Sequence, residues 1–317
     1  MTEQLELASQ PTTKTTRAIV AIIAALIIIA FMPIFIRVSE SEISPNATVF
    51  NFSWTGTVLL LLWNGLSILK SRGSVNSKLI EQSPYTPKNL VLLLAIGLCN
   101  TAIGMLWSWS LVKTSVANSE LLHSITPLFA VLGGAIFLGQ KFDRSFVIGV
   151  GIALTGAVVI GLDDISISPS KLEGDGLAIL SAIFWAVSLL IQEKLRIQFS
   201  ATTLILWCWV LSSLFMLPII LVTGDQLFPH SGNSWLSTIF LGLAGVLNMI
   251  LTAYSLKWLS SGLVSTILLL NPTLTAILAW AIFSETLSML NLLGFVVILL
   301  GIYLVISGKG GVKTTED

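Results

Sequence analysis

Ten apolar runs of roughly 18 to 25 residues, separated by short polar stretches, constrain this chain more than any other feature, because each is long enough to cross a bilayer. Windows of about nineteen residues place them near 18–37, 47–69, 89–111, 115–138, 145–162, 176–192, 202–223, 234–256, 260–283 and 288–307. Of the 317 residues, 55% are hydrophobic and 10% charged, whereas an ordinary soluble domain carries about 25% charged residues. The expected fold is therefore all-α, a polytopic membrane protein of ten transmembrane helices. The first run follows Lys14 and Arg17 as a signal peptide would, but no small-residue cleavage site follows it, so it is expected to stay as an anchor.

Lysine and arginine stay on the cytoplasmic side of short loops. With the amino terminus inside, thirteen of the 16 basic residues fall inside, and only Arg37, Lys113 and Lys171 fall outside. Both termini are expected in the cytoplasm and the membrane is expected to be the plasma (inner) membrane. A formal net charge of +0 without a basic block gives no reason to expect a nucleic-acid partner. Cys99 and Cys208 both lie inside apolar runs and read as small buried hydrophobes.

The chain repeats itself at an offset of 145 positions. Trp109-Ser110-Leu111 answers Tyr254-Ser255-Leu256, Ser115 answers Ser260, Pro127 answers Pro272, and Gln140 answers Glu285. Gly149 answers Gly294 and Gly156 answers Gly301 in the same register. With five spans per half, the second copy enters the membrane upside down, giving two inverted five-helix repeats, a transporter signature. The expected organisation is a tail over 1–16, repeats over 17–162 and 174–307, and a second tail over 308–317.

The stretch Asn271-Pro272-Thr273-Leu274-Thr275-Ala276-Ile277-Leu278-Ala279-Trp280, with Ser284-Glu285-Thr286-Leu287-Ser288 and the Gly294 to Gly301 spacing, resembles the EamA family of drug/metabolite transporters. Thr126-Pro127-Leu128-Phe129, Gly139-Gln140, Pro33-Ile34-Phe35-Ile36-Arg37 and Phe184-Trp185 extend the likeness over nearly the whole chain. Gln140 stands where the family usually has glutamate, and Phe52 lies where relatives often have arginine. The resemblance implies carriage of amino acids, nucleosides, metabolites or drugs, usually outward, through a central cavity lined mainly by helices 1, 3, 4, 6, 8 and 9.

Glu120 and His123 lie one helical turn apart in the fourth run. Ionisable groups at that depth are costly and normally face protein or water, so the pair is a candidate proton-coupling site. The plainer reading has Glu120 snorkelling to the outer interface with His123 packed beside it. Asn100, Asn118, Asn248 and Asn271 would meet their hydrogen-bonding needs either at a shared substrate cavity or in bonds between helices. Trp107, Trp109, Trp185 and Tyr254 are aromatic candidates for that cavity, or else anchors at the headgroups as aromatics near span ends more often are; Trp185 comes first, because it is central in its run and matches an aromatic of the family. Trp207, Trp209 and Trp235 are assigned to anchoring at the headgroups. Pro127 and Pro272 are hinge candidates, or else static kinks, and Glu285 is expected to hold the turn between the last two spans.

The function expected is a secondary transporter, an exporter of small amphipathic solutes by alternating access, with proton coupling as a further expectation. A passive channel, a structural membrane protein or an intramembrane enzyme are the alternatives. No His-Glu-x-x-His, Gly-x-Ser-x-Gly or P-loop element occurs, so neither catalysis nor a cofactor or metal is expected. The expected partners are the solute and the lipid bilayer.

Overall fold

In a computed structural model, residues 13–71, 85–114, 119, 122–161, 172–274, 277–278, 289–308 and 311–312 are described. These form ten helices: α1 (Thr13–Glu40), α2 (Pro45–Ser71), α3 (Pro87–Lys113), α4 (Thr126–Phe137), α5 (Arg144–Gly161), α6 (Leu172–Leu195), α7 (Ala201–Thr223), α8 (Gly232–Ser255), α9 (Ser261–Leu268) and α10 (Met289–Ser307). Each lies on one of the ten apolar runs. Five of them are long and apolar enough to cross a membrane by length and composition. Their boundaries have local chemical causes. Thr86, Ser200, Ser231 and Ser260 accept first-turn N–H groups of α3, α7, α8 and α9. Gly224, at φ +70°, ends α7 in the left-handed conformation that glycine adopts without strain.

The outward faces are apolar, the reverse of a soluble bundle. On α10, Leu292, Val296, Leu299, Leu300 and Tyr303 form an exposed stripe at helical spacing, a surface suited to lipid. Small residues and hydroxyls fill the interior instead. Ala18, Ala25, Ala153, Ala182 and Ala186 are buried, and Ser188, Ser255 and Thr266 with them, which lets helices approach closely.

The two halves run in opposite senses. Ser255 at the end of α8 donates to the Ala18 carbonyl near the start of α1, and Arg196, just past the end of α6, donates to the Ala253 carbonyl. The start of α1 and the end of α6, the first helices of the two halves, thus lie at the same end of α8. We call this end, where α1 begins and α10 finishes, the terminal face. Across the molecule, Lys113 pairs with Glu173 at 2.6 Å and Thr114 donates to Asp175 at 2.7 Å, which sets the start of α6 on the far face.

Packing follows the same inversion. The α1–α8 contact has its image in α6–α3, and α3–α7 has its image in α8–α2, while α5–α10, α2–α7 and α4–α9 are their own images. The α5–α10 seam shows this atom by atom. A Cβ on Gly149 would lie 2.7 Å from the Gly301 carbonyl oxygen, and one on Gly156 would lie 2.7 Å from that of Gly294. Exchanging repeat partners turns the first contact into the second, so a local two-fold axis passes through the seam.

The fourth and ninth runs are not the continuous helices that hydropathy suggests. In the first, a turn at Ser124 and Ile125 precedes α4, and in the second a turn at Leu269 and Leu270 follows α9. These positions answer each other at the 145-residue offset. Tighter bonds mark both turns: Leu128 N–H reaches the Ile125 carbonyl at 3.0 Å, and Leu270 N–H that of Ile267 at 3.2 Å. Pro127 and Pro272 come just after the turns, in the first positions of restarted helix, where a missing N–H leaves no bond broken.

Candidate functional site

A cavity of about 240 Å³ lies where the halves meet. Its walls come from the central and far-face portions of six helices. Ile29, Met32 and Ile36 belong to α1, Thr48, Phe52 and Ser53 to α2, and Asn100, Trp107 and Ser108 to α3. Trp185 comes from α6, Cys208, Trp209 and Ser212 from α7, and Gly245, Asn248 and Met249 from α8. His123 and Asn271, beside the two helix breaks, complete the lining. Helices 1, 3, 6 and 8 line it as the family resemblance implies, and α2 and α7 join them.

His123 is held on two sides. Its ring stacks on Trp185 at 4.7 Å between centroids and 12° between planes, with Trp107 at 6.2 Å. Its Nδ1 lies 2.7 Å from Ser181 Oγ, and that hydroxyl donates its single hydrogen to the Ala178 carbonyl at 2.7 Å. Ser181 must therefore accept, so Nδ1 carries the imidazole proton and Nε2 is left as the ring's acceptor. The local break explains why this residue is available: Thr126 Oγ1 donates to the His123 carbonyl at 2.7 Å, closing the turn and capping the disrupted helix.

The amides divide their bonds between structure and cavity. Asn248 Nδ2 donates to the Ala25 carbonyl at 2.9 Å, tying α8 to α1. Asn100 Oδ1 accepts from Ser188 Oγ at 3.3 Å, tying α3 to α6. Among the described residues, Trp107 Nε1, Trp209 Nε1 and Asn271 Oδ1 have no hydrogen-bond partner, and Asn100 Nδ2 faces only the weakly accepting thiol of Cys208. Each buried polar group left unmet costs about 1–3 kcal/mol. The described lining contains no lysine, arginine, aspartate or glutamate.

Six sequence candidates thus meet at one place: Asn100, Trp107, His123, Trp185, Asn248 and Asn271. Tyr254 does not join them; it lies at the terminal face beside Arg196 and Lys257. Asn118, Glu120 and Glu285 fall outside the described residues. Trp209 corrects the anchoring assignment: it is 3% exposed, packs on Phe52 at 4.5 Å between ring centroids, and lines the cavity. Trp207, two positions earlier and so on another side of the helix, does reach Tyr85 near the terminal face. That alternation was the signal for Trp209, since two tryptophans two residues apart in a helix cannot both face the headgroups. Trp235 stacks on Phe228 near the far face.

On the terminal-face side of the cavity, hydrogen bonds tie several segments together. Glu193, 3% exposed at the end of α6, accepts from Gln140 Nε2 at 2.5 Å and from the Ser261 N–H at the start of α9 at 2.8 Å. One carboxylate thereby joins the α4–α5 loop, α6 and α9, and it sits where the first-turn donors of α9 need an acceptor. Ser260 N–H donates to the Gly311 carbonyl at 2.8 Å and adds the carboxyl-terminal segment to this network.

The EamA-like transporter family matches residues 16–162 and, a second time, 172–307. The chain belongs to that family. As an EamA-like transporter it is a multi-pass membrane protein and not an enzyme. An uncharacterized transporter of Helicobacter pylori is 25% identical over 253 residues, covering 78% of this chain and 80% of the relative. A probable terminal-alkyne amino-acid exporter of Streptantibioticus cattleyicolor is 24% identical over 218 residues, covering 66% and 72%. The pseudopaline exporter CntI of Pseudomonas aeruginosa is 20% identical over 267 residues, covering 84% and 88%. A solved crystal structure of a protein has the same fold, with a TM-score of 0.73 at 17% identity over 92% of this chain and 97% of that one.

Proposed function

We propose that this EamA-like protein is a secondary transporter of the plasma (inner) membrane that exports small amphipathic metabolites by alternating access, with both termini in the cytoplasm. The observation that carries this reading is the cavity at the junction of two inverted halves, lined from their central and far-face portions, with Glu193, Gln140 and Ser261 joined by hydrogen bonds on its terminal-face side. Two relatives bear exporter names, one for an amino acid with a terminal alkyne and one for pseudopaline, which favours the outward direction and metabolite-sized cargo. The repeats of this reading are 17–162 and 174–307.

Substrate contacts are assigned to Asn100, Trp107, Asn118, Trp185, Trp209, Asn248 and Asn271. The aromatic rings suit the apolar part of a solute, and the unmet amide and indole groups suit its polar part. Tyr254, at the terminal face, would meet cargo only on entry. Pro127 and Pro272, beside matching breaks, serve as hinges.

Glu120 and His123 form the proton-coupling pair, with Nε2 of His123 as the position that accepts the proton. Metabolite profiling of the medium with and without overproduction identifies cargo, and counterflow in proteoliposomes with that cargo tests carriage. Saturable counterflow is expected; linear, non-saturating flux would replace the carrier with a channel. Under proton coupling, Glu120→Gln abolishes the pH dependence of uptake into proteoliposomes; an unchanged pH profile removes the coupling and leaves facilitated exchange.

A further inference from the structure

The terminal face carries a second concavity, separate from the central cavity. It lies between α1, the α6–α7 connection, the start of α7 and the end of α8. Its deeper wall is apolar, from Ala21, Ile250 and Leu251. Its rim is polar and basic, from Arg196, Lys257, Tyr254 and Gln198, together with Ser200, Ala201 and Thr202 at the start of α7.

Among the described residues, the cationic side of this groove has little to balance it. Arg196 is 7% exposed, and its guanidinium is fixed by two carbonyls, those of Ala253 and Phe199, neither of which neutralises its charge. A buried cation without a counter-charge is unfavourable, and an anion at this place would relieve it. Lys257 and Lys14 both lie over the ring of Trp258, at 5.3 and 5.0 Å from its centroid. Glu193, one turn before Arg196, accepts from Gln140 and Ser261. Among the described residues the sole ion pair, Lys113 with Glu173, is on the far face. The α7 start adds to the same sign of potential, since Ser200 takes the Thr203 N–H while the Ala201 and Thr202 N–H groups, lining the groove, have no partner within the helix.

We propose that this groove binds a phosphate-bearing anion, held between Arg196, Lys257 and the first turn of α7, and that its source is the headgroup of an anionic phospholipid. The apolar wall below the basic rim favours lipid over free phosphate, because it offers acyl chains a surface that a dissolved ion would leave unused. Basic pockets between spanning helices recognise lipid headgroups by this combination. None of its residues lines the central cavity, and Arg196, Lys257 and the start of α7, which would hold the anion, have no part in the transport reading.

The test uses the delipidated full-length protein, with retained lipid counted by native mass spectrometry after adding palmitoyl-oleoyl phosphatidylglycerol or the matching phosphatidylcholine. Phosphatidylglycerol is expected to be retained in preference. Lys257→Gln should weaken that retention by about fivefold, the factor for one basic side chain near an anionic surface, while Lys113→Gln on the far face should leave it intact. Arg196→Gln should abolish it, and a folded Lys257→Glu protein gives the same answer should the buried change prevent folding. Thermal protection by inorganic phosphate without preference between the lipids would keep the anion site and reject the lipid as its source. Equal retention of both lipids in wild type and Lys257→Gln, with no effect of phosphate, overturns the proposal.

Discussion

His123 shows how one residue acquires a defined chemical state from its neighbours. Ser181 spends its hydrogen on Ala178, so the imidazole must donate from Nδ1, and Trp185 fixes the plane in which Nε2 lies. A histidine in an apolar run was visible in the sequence; its tautomer was not, because Ser181 lies 58 positions away. Asn100 belongs to the same scale. Replacing it with leucine removes the Nδ2 donor, held in the cavity only by the weak Cys208 acceptor, together with the bond to Ser188, and counterflow of the identified cargo should fall by about tenfold, the worth of one polar contact in the site. Protein yield and melting temperature should change little, which separates a substrate contact from a purely structural amide. Glu42 gives a pH prediction outside the membrane. Hydrogen bonds from Ser231 and Ser234, then from the His230 and Ser231 N–H groups, hold its carboxyl down at about 2 against an ordinary 4.5. A depressed folded value stabilises the protein above the unfolded value and loses that effect as the pH falls toward the folded one. Melting in detergent should therefore fall between about pH 4.5 and pH 2, and Glu42→Gln should flatten that slope.

At the scale of elements, hydropathy located each of the ten helices of the described residues but missed the shape of two of its runs. The apolar runs are legible because hydrocarbon demands an uninterrupted apolar surface and every backbone bond satisfied within the segment. The turns at 124–125 and 269–270 preserve the apolar run, so a sliding window passes over them, and only Pro127 and Pro272 point to them. The glycines of α5 and α10 were readable as points of close approach. What the offset of 145 could not reveal is that Gly149 meets Gly301 rather than its own repeat partner Gly294. Gly149→Ala places a methyl group 2.7 Å from a carbonyl oxygen. Overpacking of this kind is destabilising by about 1–3 kcal/mol, so the variant should melt measurably lower in detergent. Gly151→Ala, which meets nothing within 4 Å, is the matched control and should not.

For the whole molecule, a single carboxylate ties three segments together at the terminal face, where the proposed cycle needs a seal. Glu193→Gln keeps the size of the side chain but replaces one acceptor with a donor facing Gln140 or the Ser261 N–H. Cys208 lines the cavity, and Cys99 is the chain's other thiol. With Cys99 replaced by alanine, an impermeant maleimide applied at the terminal face should leave Cys208 unlabelled in the parent and label it several-fold faster in Glu193→Gln. Equal labelling would mean that the seal resides elsewhere. The glycine seam between α5 and α10 carries a different consequence for the same motion. Its contacts would be interchanged, not broken, were the two halves to trade places as the proposed cycle requires, so the seam favours neither orientation. Such a seam can stay still as an axle while the unlike walls around it, His123 with its stacked rings on one side and Leu268 at the answering place on the other, decide which way the protein prefers to face.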